Sequence, residues 1–290
     1  MEKIKVGAHE IRLLQAKEIE DAVAALFTEA NYTLTADVTD RIAEAERCET
    51  CPLAKNVLCR LLDNAAAAKE IRVPVCQDTG MAVLFLYIGE EVHILGSLED
   101  AVQRGVARAY VDGKLRLSVV RDPLYARVNT GDNTPAVLHI SIVPGDRVRL
   151  VAMPKGFGSE NMSALKMMTP AATEDDVVSF VVDTVKTAGA NPCPPITVGV
   201  GIGGDFELAA RLAKESLARP LSDVHPDPRY AALEARLLSQ INALGIGPQG
   251  FSGDTTALAV KVAATPTHIA GLPVAVNINC HVARHREMIL

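Results

Sequence analysis

The sequence predicts an α/β fold in which a helical N-terminal part packs on a mixed α/β body with a central sheet flanked by helices. Between residues 10 and 70, apolar side chains recur at helical spacing with few β-branched runs. After Pro74, short apolar strands alternate with helical segments. The 290 residues are enough for a large core. We therefore expect a helical part over residues 1–73 and a body over residues 74–290, joined as one continuous domain.

The helices of the N-terminal part have recognisable starts. Apolar residues from Leu13 to Leu26 keep helical spacing and predict the first helix. Thr35 and Asp37 are candidate N-caps for a second helix, and Pro52 suits the first turn of a third. Three consecutive helices are therefore expected before the body begins.

The body is predicted to contain strands and helices in alternation. Pro144-Gly145-Asp146 is a turn sequence between two apolar runs, which predicts a hairpin. The predicted elements are strands 82–88, 137–143, 147–153, 196–200, 257–263 and 273–277, and helices 98–110, 174–188, 205–217 and 228–244.

Composition argues against nucleic acid and membrane partners. The net charge is -6, and the chain has no Trp, so both a basic surface and strong base-stacking platforms are lacking. The first residues lack the apolar segment of a secretory signal, and no window of 18 apolar residues could span a membrane. Six cysteines in such a chain are expected to be thiols or metal ligands, in a cytoplasmic protein.

Three cysteines stand in tight polar turns far apart in the chain. Cys76, Cys193 and Cys280 lie in the segments VPVCQDTG, NPCPPIT and NINCHVARH. A cubane cluster held by three thiolates leaves one iron open to bind substrate oxygen as a Lewis acid. The alternative is that each is a buried structural thiol.

A second cysteine group is local. Cys48 and Cys51 form C-x-x-C, and Cys59 follows eight residues later. The group could bind zinc or a second cluster, but it has no clear fourth ligand nearby. Cys59 is more simply interpreted as a core residue of a helix.

Glycine-rich turns offer a competing interpretation. The run Gly199–Gly204 follows a strand, opens a helix and contains G-x-G-x-x-G, which would suit an NAD-dependent oxidoreductase. Asp205 and Glu207 follow at once, however, and their charge would repel a phosphate at the helix start. A tight strand-to-helix turn is the preferred interpretation. The run 155–161 is either an anion-binding nest or a polar loop.

Seven motifs taken together resemble one family. They are, in chain order, CQDTG, VNTGDN, KGFGSENMS, NPCPP, GVGIGG, LGIGPQG and INCHVARH. In this order they resemble the iron–sulfur-dependent class I fumarase family, which includes L-tartrate dehydratase. The resemblance implies a hydro-lyase with a 4Fe-4S cluster held by Cys76, Cys193 and Cys280.

The resemblance also implies roles for individual residues. Gln77 and Asp78 border the substrate, with Asp78 as a catalytic proton-transfer group. Arg116 and His268 match substrate-contacting positions, and the glycine turn at Gly158 approaches the substrate with its backbone. Arg116 has the fork geometry that holds a carboxylate bidentately.

Family members that fuse a second domain carry further arginines, a lysine and a threonine base there. The resemblance therefore implies that this chain is an alpha subunit that needs a beta subunit, in a hetero-oligomer that also self-associates. The KGFGSENMS turn resembles the fumarase form, so we expect reversible hydration of fumarate to L-malate in the tricarboxylic acid cycle. L-tartrate dehydratase is the alternative.

Overall fold

The computed structural model describes residues 2–6 and 9–290. Its elements, in chain order, are β1 (Glu2–Val6), β2 (His9–Gln15), α1 (Ala16–Tyr32), α2 (Ala36–Cys48), α3 (Pro52–Ile71), β3 (Met81–Gly89), β4 (Val92–Leu95), α4 (Leu98–Asp112), β5 (Val137–Val143), β6 (Val148–Lys155), α5 (Phe157–Glu160), β7 (Ala164–Met168), α6 (Glu174–Ala188), β8 (Ile196–Gly204), α7 (Phe206–Ser216), α8 (Pro228–Asn242), a 3-10 turn (Pro248–Gly250), β9 (Ala257–Thr267), β10 (Leu272–Asn279) and β11 (Arg286–Ile289).

The chain divides into two compact units, each assembled from separated segments. The first unit contains Met1–Thr33, Ala68–Lys155 and Arg284–Leu290. The second unit contains Leu34–Ala67 and Gly156–Ala283. Mixed sheets with flanking helices in both units confirm the predicted fold class, whereas the expected division at residues 73 and 74 stays a prediction.

The first unit is built on a four-stranded sheet in the order β11-β6-β3-β5. Alternate residues of β3, including Leu84 and Leu86, face a core shared with α1 and α4. The two helices cross closely, because a Cβ on Gly105 of α4 would lie 2.7 Å from the carbonyl oxygen of Glu20 on α1. A small sheet in the order β1-β2-β4 completes the unit.

The second unit is built on a sheet in the order β7-β10-β8-β9. Val198 and Val200 of β8 contribute to a core with α6 and α8. Gly199 and Gly201 point to the opposite face, which α7 covers. This alternation explains why the strand reads as glycine and valine in turn.

The structure assigns the glycine-rich run to helix packing. A Cβ on Gly199 would lie 2.0 Å from the carbonyl oxygen of Ala213, and one on Gly201 would lie 2.1 Å from that of Ala209. The backbone of α7 fills the space that a dinucleotide would need. Asp205 caps this helix, its carboxylate accepting the N–H of Leu208. The NAD-dependent alternative for Gly199–Gly204 is therefore wrong, and the tight strand-to-helix turn is confirmed.

The predicted hairpin around Pro144-Gly145-Asp146 is also wrong. Strand β3 lies between β5 and β6, parallel to β5 and antiparallel to β6. The turn passes over the end of β3, where Gly89 donates to the carbonyl of Arg147 and Glu91 to that of Gly145. Gly89 allows this crossing, since a Cβ there would lie 2.2 Å from the oxygen of Gly145.

The helical N-terminal part begins later than predicted. Residues 9–15 form β2, which pairs with β1 and β4, and α1 begins only at Ala16. Thr35 occupies the N-cap position of α2 and Pro52 opens α3, as predicted. Asp37 instead accepts the backbone N–H of Leu221 at 2.7 Å.

Across the described ranges, every helix is either too short or too polar to cross a membrane.

Gly201→Ala tests the packing account of the glycine-rich strand. The added methyl group meets backbone atoms of α7, so the helix must move away from the sheet. We expect the free energy of unfolding to fall by about 3 kcal/mol, at the upper end for an overpacked core. Gly271→Ala is the matched control, because a Cβ there meets nothing within 4 Å. Equal unfolding midpoints for the two variants in urea would contradict the account.

Candidate functional site

The CQDTG segment forms a braced turn between α3 and β3 in the first unit. Cys76 is half-buried, and its thiol lies 3.3 Å from the side-chain oxygen of the exposed Gln77. The carboxylate of Asp78 accepts the N–H of Gly80 at 2.9 Å. This hydrogen bond turns the Asp78 carboxylate back onto its own loop and fixes its direction.

Thr79 connects this turn to Arg116. Its buried hydroxyl accepts the backbone N–H of Arg116 at 2.9 Å and lies 3.3 Å from the carbonyl oxygen of Arg116. The first unit thus brings the predicted residues Cys76, Gln77 and Asp78 close to the backbone of Arg116. The Arg116 side chain is exposed and available to a ligand.

Two buried side chains hold the CQDTG turn by hydrogen bonds to its backbone carbonyls. Asn133, at the end of the VNTGDN motif, donates to the carbonyl of Gly80 and accepts the N–H groups of Ser118 and Val119. The hydroxyl of Tyr110 lies 3.0 Å from the carbonyl oxygens of both Thr79 and Gly80. Burial raises the pKa of Tyr110, so its hydroxyl stays protonated and remains a donor.

Sequence reasoning missed these supports. Asn133 adopts a φ of 63°, a left-handed conformation that Asn tolerates better than most residues. An Asn next to Gly and Asp in VNTGDN was a signal for such a turn. The role of Tyr110 had no local signal, because the hydroxyl reaches a segment thirty residues away in the chain.

The second unit brings the other two cysteine segments together. The carbonyl oxygen of Cys193 accepts the N–H of His281 at 3.3 Å and lies 3.1 Å from His281 Nδ1. Cys280 precedes His281 and is half-buried, whereas Cys193 is exposed. Cys193 has a φ of 53°, which places it at a sharp bend before Pro194. The segments that contain Cys193 and Cys280, the two predicted cluster ligands of this unit, are therefore joined by a backbone hydrogen bond.

Gln249 of the LGIGPQG motif braces the Cys193 bend. Its backbone N–H and its side-chain amide both donate to the carbonyl of Pro194, at 2.8 Å and 2.7 Å. The same amide nitrogen lies 3.1 Å from His281 Nδ1. This loop is thus a support for both cysteine segments.

The segment that contains Cys48 and Cys51 anchors that loop through the two residues between the cysteines. Between Cys48 and Cys51, the Glu49 carboxylate is buried and accepts N–H groups from Cys51, Asp254 and Thr255. The Asp254 carboxylate in turn accepts hydrogen bonds from the backbone N–H and the hydroxyl of Thr50. The two carboxylates clamp the junction of α2 and α3 to the loop that contains Gln249.

The glycine turn at residues 156–158 opens the short helix α5. Gly156 is its N-cap, and Gly158 is exposed, with the nearest neighbour of an added Cβ at 3.7 Å. Glu160 at the end of the turn pairs with Lys214 and accepts the side chain of Asn277. The acidic charge of Glu160 is thereby neutralised beside the exposed glycine.

His268 lies away from the cysteines of its own unit. It is exposed in the turn between β9 and β10, where its Nδ1 accepts the N–H of Ala270. Strand β10 separates it from Cys280, and its eight residues extend about 26 Å. The second unit does not bring His268 together with Cys193 and Cys280, and its contact with the substrate stays a prediction.

All six cysteines are free thiols, and Cys59 is exposed, so the expectation that it is a core residue is wrong. Within residues 2–6 and 9–290, no three His, Cys, Asp or Glu side chains stand close enough together to hold a metal ion. The cluster ligation of Cys76, Cys193 and Cys280 remains a prediction, since Cys76 belongs to one unit and the others to the second.

Comparisons with known proteins agree on one family. The model of the family "Fumarate hydratase (Fumerase)" matches residues 20–289. A putative L(+)-tartrate dehydratase subunit alpha of Methanocaldococcus jannaschii is 40% identical over 270 residues, which cover 91% of this chain and 94% of that protein. The L(+)-tartrate dehydratase subunit alpha of Escherichia coli is 33% identical over 258 residues, covering 88% and 84%. The protein of the same name from Shigella sonnei is similar to the same extent.

Thr79→Val tests the connection between the CQDTG turn and Arg116. Valine keeps the shape of threonine but leaves the N–H of Arg116 without its acceptor. We expect the free energy of unfolding to fall by about 1–3 kcal/mol. Thr79→Ser keeps the hydroxyl and is the matched control. The connection is contradicted if urea denaturation gives the serine variant the larger loss.

Proposed function

The chain belongs to the fumarate hydratase (Fumerase) family, and from this premise we propose that it is the alpha subunit of an iron–sulfur hydro-lyase acting on fumarate and L-malate. The observation that carries the proposal is that every predicted cysteine ligand stands in a braced polar turn. The first unit holds Cys76 beside Asp78, and the second unit holds Cys193 on a segment bonded to that of Cys280. Such turns suit the positioning of ligands and reacting groups.

The residues present fit a 4Fe-4S cluster by their chemistry. Cys76, Cys193 and Cys280 are thiols that are exposed or half-buried. Thiolates are the soft donors that iron–sulfur clusters require. We assign these three cysteines as the ligands. When bound, the cluster would supply a Lewis acid for the hydroxyl of malate.

The chain's own residues would bind the substrate and transfer a proton. Arg116 has an exposed guanidinium on a backbone tied to Thr79, and it would bind one substrate carboxylate through two parallel hydrogen bonds. Gln77 would donate a further hydrogen bond. Asp78, whose carboxylate is fixed by the N–H of Gly80, would accept or return a proton at the reacting end. Gly158 and His268 are the remaining proposed substrate contacts, although strand β10 separates His268 from Cys280 within the second unit.

A beta subunit is the proposed partner. The relatives from M. jannaschii and E. coli are both called subunit alpha, which supports a two-subunit enzyme for this chain as well. We propose that the second base and further carboxylate-binding groups come from that subunit. The assembly would be a cytoplasmic hetero-oligomer that also self-associates.

Fumarate is the preferred substrate, and L(+)-tartrate is the second candidate. The KGFGSENMS turn supports fumarate, because it resembles the fumarase form of this motif. The names of the relatives favour tartrate. Both reactions require removal of a hydroxyl from a four-carbon dicarboxylate, so the same ligands and the same arginine would serve either.

Serine substitutions test the ligand assignment. We expect Cys76→Ser, Cys193→Ser and Cys280→Ser each to lose most of the iron, because a hard hydroxyl replaces a soft thiolate. The matched controls are Cys48→Ser, Cys51→Ser and Cys59→Ser, which should keep it. Iron and sulfide per chain after anaerobic purification are the measurement. Iron loss in the control set alone would overturn the assignment.

Coexpression with the beta subunit tests the function. The isolated chain should bind iron but show negligible turnover, and the anaerobic complex should hydrate fumarate. Arg116→Lys in the complex should lower kcat/KM by about tenfold or more while leaving the cluster absorption intact, because lysine cannot donate in the bidentate geometry. Dehydration of L(+)-tartrate at a higher kcat/KM than that of L-malate would replace fumarate by the second candidate.

A further inference from the structure

Arg284 is a buried arginine that the proposed mechanism does not use. It is 2% exposed, and its guanidinium donates to the side-chain oxygen of Asn31 at 3.0 Å and to the backbone carbonyl of Asp78 at 2.6 Å. Within the described part of the chain it has no carboxylate partner within 4.0 Å, and its Nε has no hydrogen-bond partner. A buried charge without an ion pair costs free energy, so its presence calls for a specific reason.

Asn31 shows what Arg284 is connected to. This residue near the end of α1 is fully buried, and its side-chain nitrogen donates to the carbonyl of Phe27. Its backbone carbonyl accepts the N–H of Val75 at 2.9 Å. Asn31 therefore holds Val75 with its backbone and Arg284 with its side chain, and Arg284 in turn holds Asp78.

Cys76 lies in the chain between Val75 and Asp78, the two residues that these hydrogen bonds fix. Val75 is fixed on one side of it and the carbonyl of Asp78 on the other, both through Asn31 and Arg284. A guanidinium suits this task because its planar fork can donate to two acceptors at once. A lysine ammonium on the same backbone could keep the charge but would not reproduce both directions.

We propose that Arg284 is a positioning residue that fixes the Val75–Asp78 turn and so sets the direction of Cys76 and Asp78. Its role in catalysis rests on the proposed function. Its role in holding the turn does not rest on the proposed function. The structural role and the catalytic role are measured separately.

Hydrogen exchange of the iron-free chain tests the structural step. The variants are Arg284→Met, which removes the donors and the charge, and Arg284→Lys, which keeps the charge and is the safer variant for folding. Arg286→Lys is the matched control, because it makes the same change two residues away, at an arginine that donates to the carbonyl of Thr33. Exchange is followed by mass spectrometry in peptides that cover residues 72–82, with second-unit peptides as the internal reference.

We expect Arg284→Met to raise the exchange rate in residues 72–82 by about tenfold, as the loss of a charged hydrogen bond predicts. Arg284→Lys should give a smaller rise, and Arg286→Lys and the second-unit peptides should stay at the wild-type rate. A general rise across the first unit, or no rise in residues 72–82, would overturn the proposal by showing a role in overall stability or none. If Arg284→Met does not fold, Arg284→Lys decides by the same comparison.

Kinetics of the complex with the beta subunit test the catalytic step. Arg284→Lys should lower kcat while KM changes little, because the misplaced groups react with substrate that still binds through Arg116. An inactive wild-type complex together with the expected exchange pattern would reject the proposed function and keep the positioning role. An unchanged kcat in Arg284→Lys would reject the catalytic importance of that role.

Discussion

The hydrogen bond from a buried side chain to a backbone carbonyl of a polar turn is the interaction on which the candidate site depends. Asn133, Tyr110 and Arg284 each make such a bond in the first unit, and the half-buried Gln249 makes a similar one in the second. One bond contributes only about 1 kcal/mol net, but a buried group left without a partner costs more than the bond yields. The turns therefore stay closed, because opening one would leave several buried groups unsatisfied together.

Close packing of a helix on a strand is the second constraint, and it decides what the glycine-rich motif of β8 does. The same G-x-G-x-x-G pattern that suits a phosphate also suits a helix backbone in contact with a strand. In β8 the carbonyls of α7 occupy the space above Gly199 and Gly201. What fills the space beside a glycine depends on the tertiary structure. The motif alone therefore could not decide between a bound phosphate and a packed helix. The acidic residues that follow the motif were the useful local signal, since Asp205 caps α7.

Local patterns predicted the elements better than their arrangement. Strand β5 was predicted with its observed bounds, because its alternation and the following Pro-Gly turn are both local signals. The hairpin failed because β3, much earlier in the chain, lies between the two strands. The prediction of helix for the residues of strand β2 is wrong because apolar spacing in a short segment is ambiguous. The cysteine turns were located from sequence, whereas Arg284 and Asn31 were not, since their contact joins residues at opposite ends of the chain.

The segments of the second unit lie in the sequence between segments of the first unit, and this order has a consequence for biosynthesis. The segments of the second unit end at Ala283, while the sheet of the first unit is completed by β11 pairing with β6. A ribosome therefore releases every segment of the second unit before the first unit can close. Contacts between residues so distant in sequence form slowly, because the intervening loop must be ordered first. Arg284 lies just before β11, so its hydrogen bond to the turn that carries Cys76 can form only after every segment of the second unit has been synthesised.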